Sequence, residues 1–260
     1  MNQPLSIINK KYLFLIQQFT ITDFKLRYSQ SILGYLWSLL NPLMMFGVLY
    51  FVFSVFMRFG SIPHYPVYLL SGIILWNYFS EATRGGMDSL LTKSSLLNKI
   101  SFPRIIIPLS SLFTSTLTLF INLCILSLFM VLSRVAIYGS VWISVALIFE
   151  LVFLSFSISL ILSSFFLRFR DLVHIWTVLL QVGFWATPII YPVEIVPEKY
   201  RFLVRINPMA RIINEFRLSV IYGQGIAAAD ICYTLILIAI LFVVGLILFQ
   251  WAQRYFPEWL

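Results

Sequence analysis

Charge is what this sequence has least of. Only 11% of its 260 residues are Asp, Glu, Lys or Arg, and 60% are hydrophobic. A soluble globular domain carries about 25% charged and 45–50% apolar residues. The balance excludes a water-soluble fold, whose core could not hide this much apolar surface. Cysteine and histidine are also scarce. Cys124, Cys232, His64 and His174 are scattered, which gives neither a disulfide framework nor a zinc pattern. None of the six lysines follows a glycine, so there is no G-x-x-x-x-G-K-[ST] loop to cradle nucleotide phosphates. No Ser-His-Asp set can be argued from the sequence. The expectation is a chain with no catalytic residues and no metal site, driven by a partner or an ion gradient.

What is present is a series of charge-free stretches. No Asp, Glu, Lys or Arg lies between Arg27 and Arg58, Arg58 and Glu81, Arg104 and Arg134, Asp171 and Glu194, or Asp230 and Arg254. Between Arg134 and Arg168 there is one, Glu150. A bilayer core takes about 20 apolar residues per helix. The pattern predicts an all-α membrane protein with six transmembrane helices, over about 35–57, 67–81, 105–132, 141–167, 173–190 and 231–250. An even number puts both termini on one side. On the side of the termini fall Lys10, Lys11, Lys25, Arg27, Arg84, Lys93, Lys99, Arg104, Arg168, Arg170 and Arg254; on the other fall Arg58, Arg134, Lys199, Arg201, Arg205, Arg211 and Arg217. This excess predicts cytoplasmic termini and gives the net charge of +8 an anchoring role rather than a nucleic-acid one.

Two segments do not read as spans. Ile8, Tyr12, Leu15, Ile16 and Phe19 share one arc at 100° per residue, which predicts a surface-lying amphipathic helix within residues 1–30. Asp23, Lys25 and Arg27 would then mark the water boundary, and Asn41-Pro42 predicts a kink in the first span. Residues 187–225 hold Pro188, Pro192, Pro197 and Pro208 among apolar runs too short to cross a bilayer. They predict short re-entrant helices before the last span, with the five cations among Glu194, Glu198, Glu215 and headgroups. The segment from Arg84 to Arg104 has room for a flat amphipathic helix that docks on a soluble partner, or for a solvated loop. Glu150 is the one acid deep in a span. It reads as a partner for a polar group such as Asn122, or as a coupling acid of an ion-driven transporter. A membrane-embedded transferase is the third class, without a convincing set of polar residues to support it.

Several motifs, in order, resemble the polysaccharide-export ABC permeases. They are Asp23-Phe24-Lys25-Leu26-Arg27-Tyr28, Leu33-Gly34-Tyr35-Leu36-Trp37 with Asn41-Pro42, Phe102-Pro103-Arg104 with Pro108-Leu109, and Phe169-Arg170-Asp171-Leu172. Thr187-Pro188-Ile189-Ile190-Tyr191-Pro192, Asn207-Pro208-Met209-Ala210 and Phe216-Arg217 complete the set. The resemblance covers about residues 20–225 and is closest to the Wzm-type O-antigen permeases, with teichoic-acid permeases near by. It implies an ABC-2-type exporter of the bacterial inner membrane, with two copies of this chain and two copies of a cytoplasmic, Wzt-like ATPase that binds ATP and Mg. The substrate implied is a polysaccharide on an undecaprenyl-pyrophosphate lipid, moved from cytoplasm to periplasm.

The resemblance also assigns roles. Leu90, Leu91, Lys93, Leu96, Leu97 and Asn98 become the ATPase-coupling helix, with Arg168, Arg170 and Asp171 as a second contact. A sugar polymer needs a wide, neutral and slippery pore, and aromatic faces stack on the apolar faces of sugar rings. Aromatics make up 17% of the chain. Trp37, Tyr50 and Phe51 on the first span, with Phe184, Trp185 and Tyr191 around the fifth, are the candidate channel lining. Lys25, Arg27 and Arg84 are the candidate pyrophosphate ligands, by charge-assisted hydrogen bonds.

Overall fold

The computed structural model describes residues 10–29, 34, 36–97, 102–135 and 141–256. The expectations placed on Ile8, Tyr35, Asn98 and Lys99 lie outside the described residues. Among the described residues every regular element is helical. They are α1 (Lys10–Ser29), α2 (Leu36–Phe51), α3 (Tyr65–Thr92), α4 (Ser94–Leu97), α5 (Ile106–Leu132), α6 (Val141–Phe166), α7 (Leu172–Ala186), α8 (Glu198–Ile206), α9 (Pro208–Val220) and α10 (Ala228–Ala252). Four stretches among them are long and apolar enough to cross a bilayer: Leu36–Phe56, Ile106–Leu132, Trp142–Phe166 and Ala228–Ala252. The first joins α2 to the π-helical residues Val52–Phe56. The helix continues through Pro42, and an irregular, π-helical turn ends it at Val52–Phe56.

The expected second and fifth spans differ from the sequence reading. α3 has 28 residues, about 42 Å at 1.5 Å per residue, and continues through Glu81, Arg84 and Asp88 to Thr92. Its position explains its polarity. α2, α5, α6, α7 and α9 all pack around it, so its polar side chains meet protein rather than lipid. Tyr78 Oη lies 3.1 Å from Thr116 Oγ1, and Trp176 Nε1 donates to Thr83 Oγ1 at 3.1 Å. α7 has 15 residues, about 22 Å, short of the ~30 Å hydrocarbon core.

α1 is longer than expected and turns its stripe to protein. Ile16 and Thr20 are buried, and α1 packs along α5. Thr20 Oγ1 donates to the Ser110 carbonyl and Thr114 Oγ1 to the Thr20 carbonyl, both at 3.4 Å. Asp23 and Arg27, expected at a water boundary, are ion-paired to the C-cap and to the middle of α3. Lys93 Nζ is 2.5 Å from Asp23 Oδ2, and Arg27 pairs with Glu81.

The opposite end of α3 is clamped by Arg217. Its side chain is almost fully buried and, among the described residues, forms no ion pair with a carboxylate. It donates to the carbonyls of Tyr68 (3.2 Å), Pro188 (2.7 Å) and Ile189 (2.6 Å), and its guanidinium lies 3.5 Å from the centre of the Tyr68 ring. Tyr65 and Tyr68 donate to the carbonyls of Ile190 and Tyr191. The Pro-rich stretch after α7 is thereby stitched to the start of α3. Arg217 thus corrects the expectation that all five cations of this region meet acids or headgroups.

The two short helices that follow behave differently. α8 leaves Tyr200, Phe202, Leu203 and Ile206 exposed, whereas α9 buries Met209, Ala210, Ile212, Ile213 and Phe216. Asn207 caps α9 by accepting from the N–H groups of Met209 and Ala210, while its amide donates to Thr187 Oγ1.

Small residues permit the closest approaches. A Cβ on Gly86 would lie 2.5 Å from Ser159, which donates across the contact to the Ala82 carbonyl at 3.1 Å. A Cβ on Gly72 would lie 2.3 Å from Arg217 Nη2 and 3.2 Å from the Ile189 carbonyl oxygen. Gly47 has nothing within 4 Å. We expect Gly72→Ala to destabilise the fold by about 1–3 kcal/mol through overpacking. Gly47→Ala is expected to be neutral or to stabilise by up to ~1 kcal/mol, because alanine is the better helix former. Thermal unfolding of both variants in detergent checks the contrast.

Candidate functional site

A cavity of about 310 Å³ lies between α2, α3 and α5. Its wall is amide- and hydroxyl-rich: Ser38 and Asn41 from α2, Asn77 and Tyr78 from α3, and Ser115, Thr118 and Asn122 from α5. Trp37, Pro42 and Leu119 supply apolar surface, and the Arg27–Glu81 pair closes one side. Ser115, Thr118 and Asn122 are buried, and Ser115 Oγ, Thr118 Oγ1 and Asn122 Oδ1 have no hydrogen-bond partner among the described residues. Their spacing of three and four residues puts them on one face of α5. That spacing is the sequence signal that finds this site, and the charge-based reading passed over it.

The expected pyrophosphate ligands stand near this cavity, not all in it. Arg27 lines it and is held by Glu81. Arg84 is exposed one turn further along α3, and Lys25 is exposed on α1.

The expected coupling residues divide by burial. Leu90 is fully buried inside the last turns of α3, and Lys93 is buried against Asp23, 4.8 Å from the Phe19 ring centre. Neither side chain offers a docking surface. Leu91, Leu96 and Leu97 are partly exposed around α4. Arg168, Arg170 and Asp171 are exposed between α6 and α7.

The expected channel aromatics divide the same way. Trp37, Phe51 and Trp185 are exposed, whereas Phe184 is buried edge-on to Trp76 of α3 at 6.1 Å. Tyr50 stacks between Phe46 and Tyr65 at 5.5 and 6.2 Å. Tyr191 is half-buried and donates to the Trp185 carbonyl at 3.0 Å.

Glu150 does not pair with Asn122. It is buried in α6, both carboxylate oxygens lack a hydrogen bond, and its charged neighbours are Glu215 and Arg211 on α9. Arg211 reaches Glu215 at 3.4 Å and Asp230 at 3.1 Å, and donates to Thr234 Oγ1 at 2.8 Å. Burial pushes the Glu215 carboxyl up to about 7; Arg211 opposes the shift and Asp230 adds to it. Among the described residues no three His, Cys, Asp or Glu side chains gather as a metal site.

Comparison with known proteins gives a consistent set. The family described as ABC-2 type transporter matches residues 15–221. An O-antigen export system permease protein RfbA of Klebsiella pneumoniae is 32% identical over 265 residues, covering 96% of each chain. The RfbA protein of Myxococcus xanthus is 31% identical over 218 residues, 80% of each chain. The polysialic acid transport protein KpsM of Escherichia coli is 22% identical over 244 residues, 90% of this chain and 92% of its own.

The acid cluster sets a pH response. An unfolded Glu215 titrates near 4.5, and the folded one near 7. The folded state therefore holds the proton more tightly, and this contribution to stability is full below 4.5 and is lost as pH rises through 7. Glu215→Gln is expected to flatten the decline between pH 5 and 8. Melting temperatures of both proteins across that range measure it.

Proposed function

The chain belongs to the ABC-2 type transporter family, and from that premise we propose that it is the permease subunit of an ABC exporter for an O-antigen-like polysaccharide. The observation that carries the reading is end-to-end similarity to O-antigen export permeases, at 32% identity over 96% of both chains. The chain has no phosphate-cradling motif of its own, which agrees with a separate motor. KpsM supports a second substrate within the same class, a capsule-type polymer, at lower identity.

In this reading two copies of the chain enclose the path and two cytoplasmic ATPase subunits drive it. The polymer travels on an undecaprenyl-pyrophosphate lipid from cytoplasm to periplasm across the bacterial inner membrane, and both termini face the cytoplasm. The excess of cations at the α1 end supports that orientation. Six crossings follow when α3 and α7 are counted with the four long apolar helices. α3 needs no lipid-facing apolar surface because its neighbours cover it, and α7 is extended by the Pro-rich stretch clamped at Arg217. α8 and α9 then lie re-entrant at the outer side, α8 at its surface and α9 inside the bundle.

The motor contact falls on α4 and on the exposed turn at Arg168–Asp171. Force on α4 reaches Lys93, whose ion pair carries it to α1, and α3, a rigid rod whose far end is gripped by Arg217. The exposed aromatics Trp37, Phe51 and Trp185 face the polymer path, and Lys25 and Arg84 are left to meet the pyrophosphate.

The test is export in cells carrying the chain with and without its ATPase. Surface polymer is expected only with both. Leu96→Asp with Leu97→Asp is expected to cut co-purification of the ATPase about tenfold or more, a loss of ~1.4 kcal/mol. Transport by the purified chain alone, or export that stops only when the ion gradient is collapsed, would overturn the reading.

A further inference from the structure

We propose that the cavity between α2, α3 and α5 is a subsite for one uncharged sugar ring of the exported polymer, and not a seat for the lipid pyrophosphate. The inference rests on the polysaccharide reading above.

Charge decides against the phosphate. A pyrophosphate needs unopposed cations, and the single cation lining the cavity, Arg27, faces the carboxylate of Glu81. A dianion placed here would have to break that pair and then sit beside an ionised Glu81. A sugar needs neither step. It offers hydroxyl groups that both donate and accept, and an apolar ring face. The cavity offers the matching set: the Asn41, Asn77 and Asn122 amides, the Ser115 and Thr118 hydroxyls, and the Trp37 indole at its edge.

The orphaned groups point the same way. Asn122 already donates its Nδ2 to the Thr118 carbonyl at 3.1 Å, and its Oδ1 has no partner among the described residues. Ser115 Oγ and Thr118 Oγ1 have none there either; all three atoms lie just behind the cavity wall, closed off from solvent, and each hydroxyl can donate or accept once it rotates toward the cavity. A buried polar group left unsatisfied costs about 1–3 kcal/mol, so three on one face of one helix beside the cavity favour a hydroxyl-rich occupant that they can turn to meet. The volume of about 310 Å³ has room for a sugar ring. Asn41 and Trp37 are exposed, so the cavity has a mouth on the α2 side. α2 also carries the exposed Phe51, and a ring entering here leaves the polymer path by a short step.

The experiment uses the full chain with its ATPase in lipid nanodiscs. Cys124 and Cys232 are replaced by alanine, and Asn41→Cys places a thiol at the mouth. Alkylation of that thiol by a maleimide is followed with a neutral N-acetylhexosamine disaccharide or inorganic pyrophosphate present. At a disaccharide concentration about ten times its apparent Kd, alkylation is expected to slow about tenfold, and pyrophosphate is expected to leave it unchanged. Thr118→Val with Asn122→Leu is expected to abolish the protection while melting temperature and ATPase co-purification stay as in the parent. Protection by pyrophosphate, no protection by the disaccharide, or protection that survives the double change would overturn the subsite. A double variant that no longer folds is replaced by Ser115→Ala, which is expected to weaken protection several-fold; undiminished protection counts against the proposal. Surface polymer from the same cells keeps the two readings apart: export without protection refutes the subsite alone, and no export even from the wild-type pair refutes the polysaccharide reading.

Discussion

A buried guanidinium must be satisfied, and the half of this protein around the start of α3 is arranged around that demand. Arg217 sits inside the bundle and, among the described residues, forms no ion pair with a carboxylate. It is held by three main-chain carbonyls, from the start of α3 and from the stretch after α7, and by the face of Tyr68. Carbonyls that point at one group cannot also close a helix. The stretch after α7 is accordingly irregular there, and its prolines suit it. Gly72 is the counterpart on α3, because a side chain at that position would occupy the guanidinium's place. One interaction thus ends α7, anchors α9 and fixes the height of α3.

The same economy of partners shapes the α3 axis as a whole. Lipid supplies no hydrogen bonds, so polar groups inside the bundle must find protein partners or enclose a ligand. Along most of α3 they find partners: Tyr78 with Thr116, Thr83 with Trp176, Glu81 with Arg27. On the face of α5 toward α2 and α3, Ser115 Oγ, Thr118 Oγ1 and Asn122 Oδ1 find no partner among the described residues, and a polar cavity lies beside them. The Lys93 end of α3, the cavity and the Arg217 clamp therefore lie along one continuous helix.

How much could be read in advance depended on which force dominated each segment. The spans of α2, α5, α6 and α10 were legible because they meet a nonpolar solvent, and that constraint acts on each residue separately. α3 was cut short in the reading because Glu81, Arg84 and Asp88 look like the edge of water when neighbours are ignored. Two of the expected coupling residues are placed differently from a loop surface for the same reason: Leu90 is buried inside α3, and Lys93 is buried at its C-cap against Asp23. Phe184 is expected at the channel from its type and its place on the fifth span; within the chain it is buried edge-on against Trp76, beside the close approach at Gly183.

The sequence by itself determined that this is a helical membrane protein, where four of its crossings run, and, through ordered motifs, its family. Those properties depend on composition, spacing and local order, which are written along the chain. Only the tertiary structure decided that α3 is central, that Glu81 holds Arg27, that Arg217 grips carbonyls rather than acids, and that Ser115, Thr118 and Asn122 stand together beside one cavity. Each of these is a pairing between residues far apart in the chain. Whether a buried polar group is satisfied depends on what stands opposite it, and packing alone supplies that.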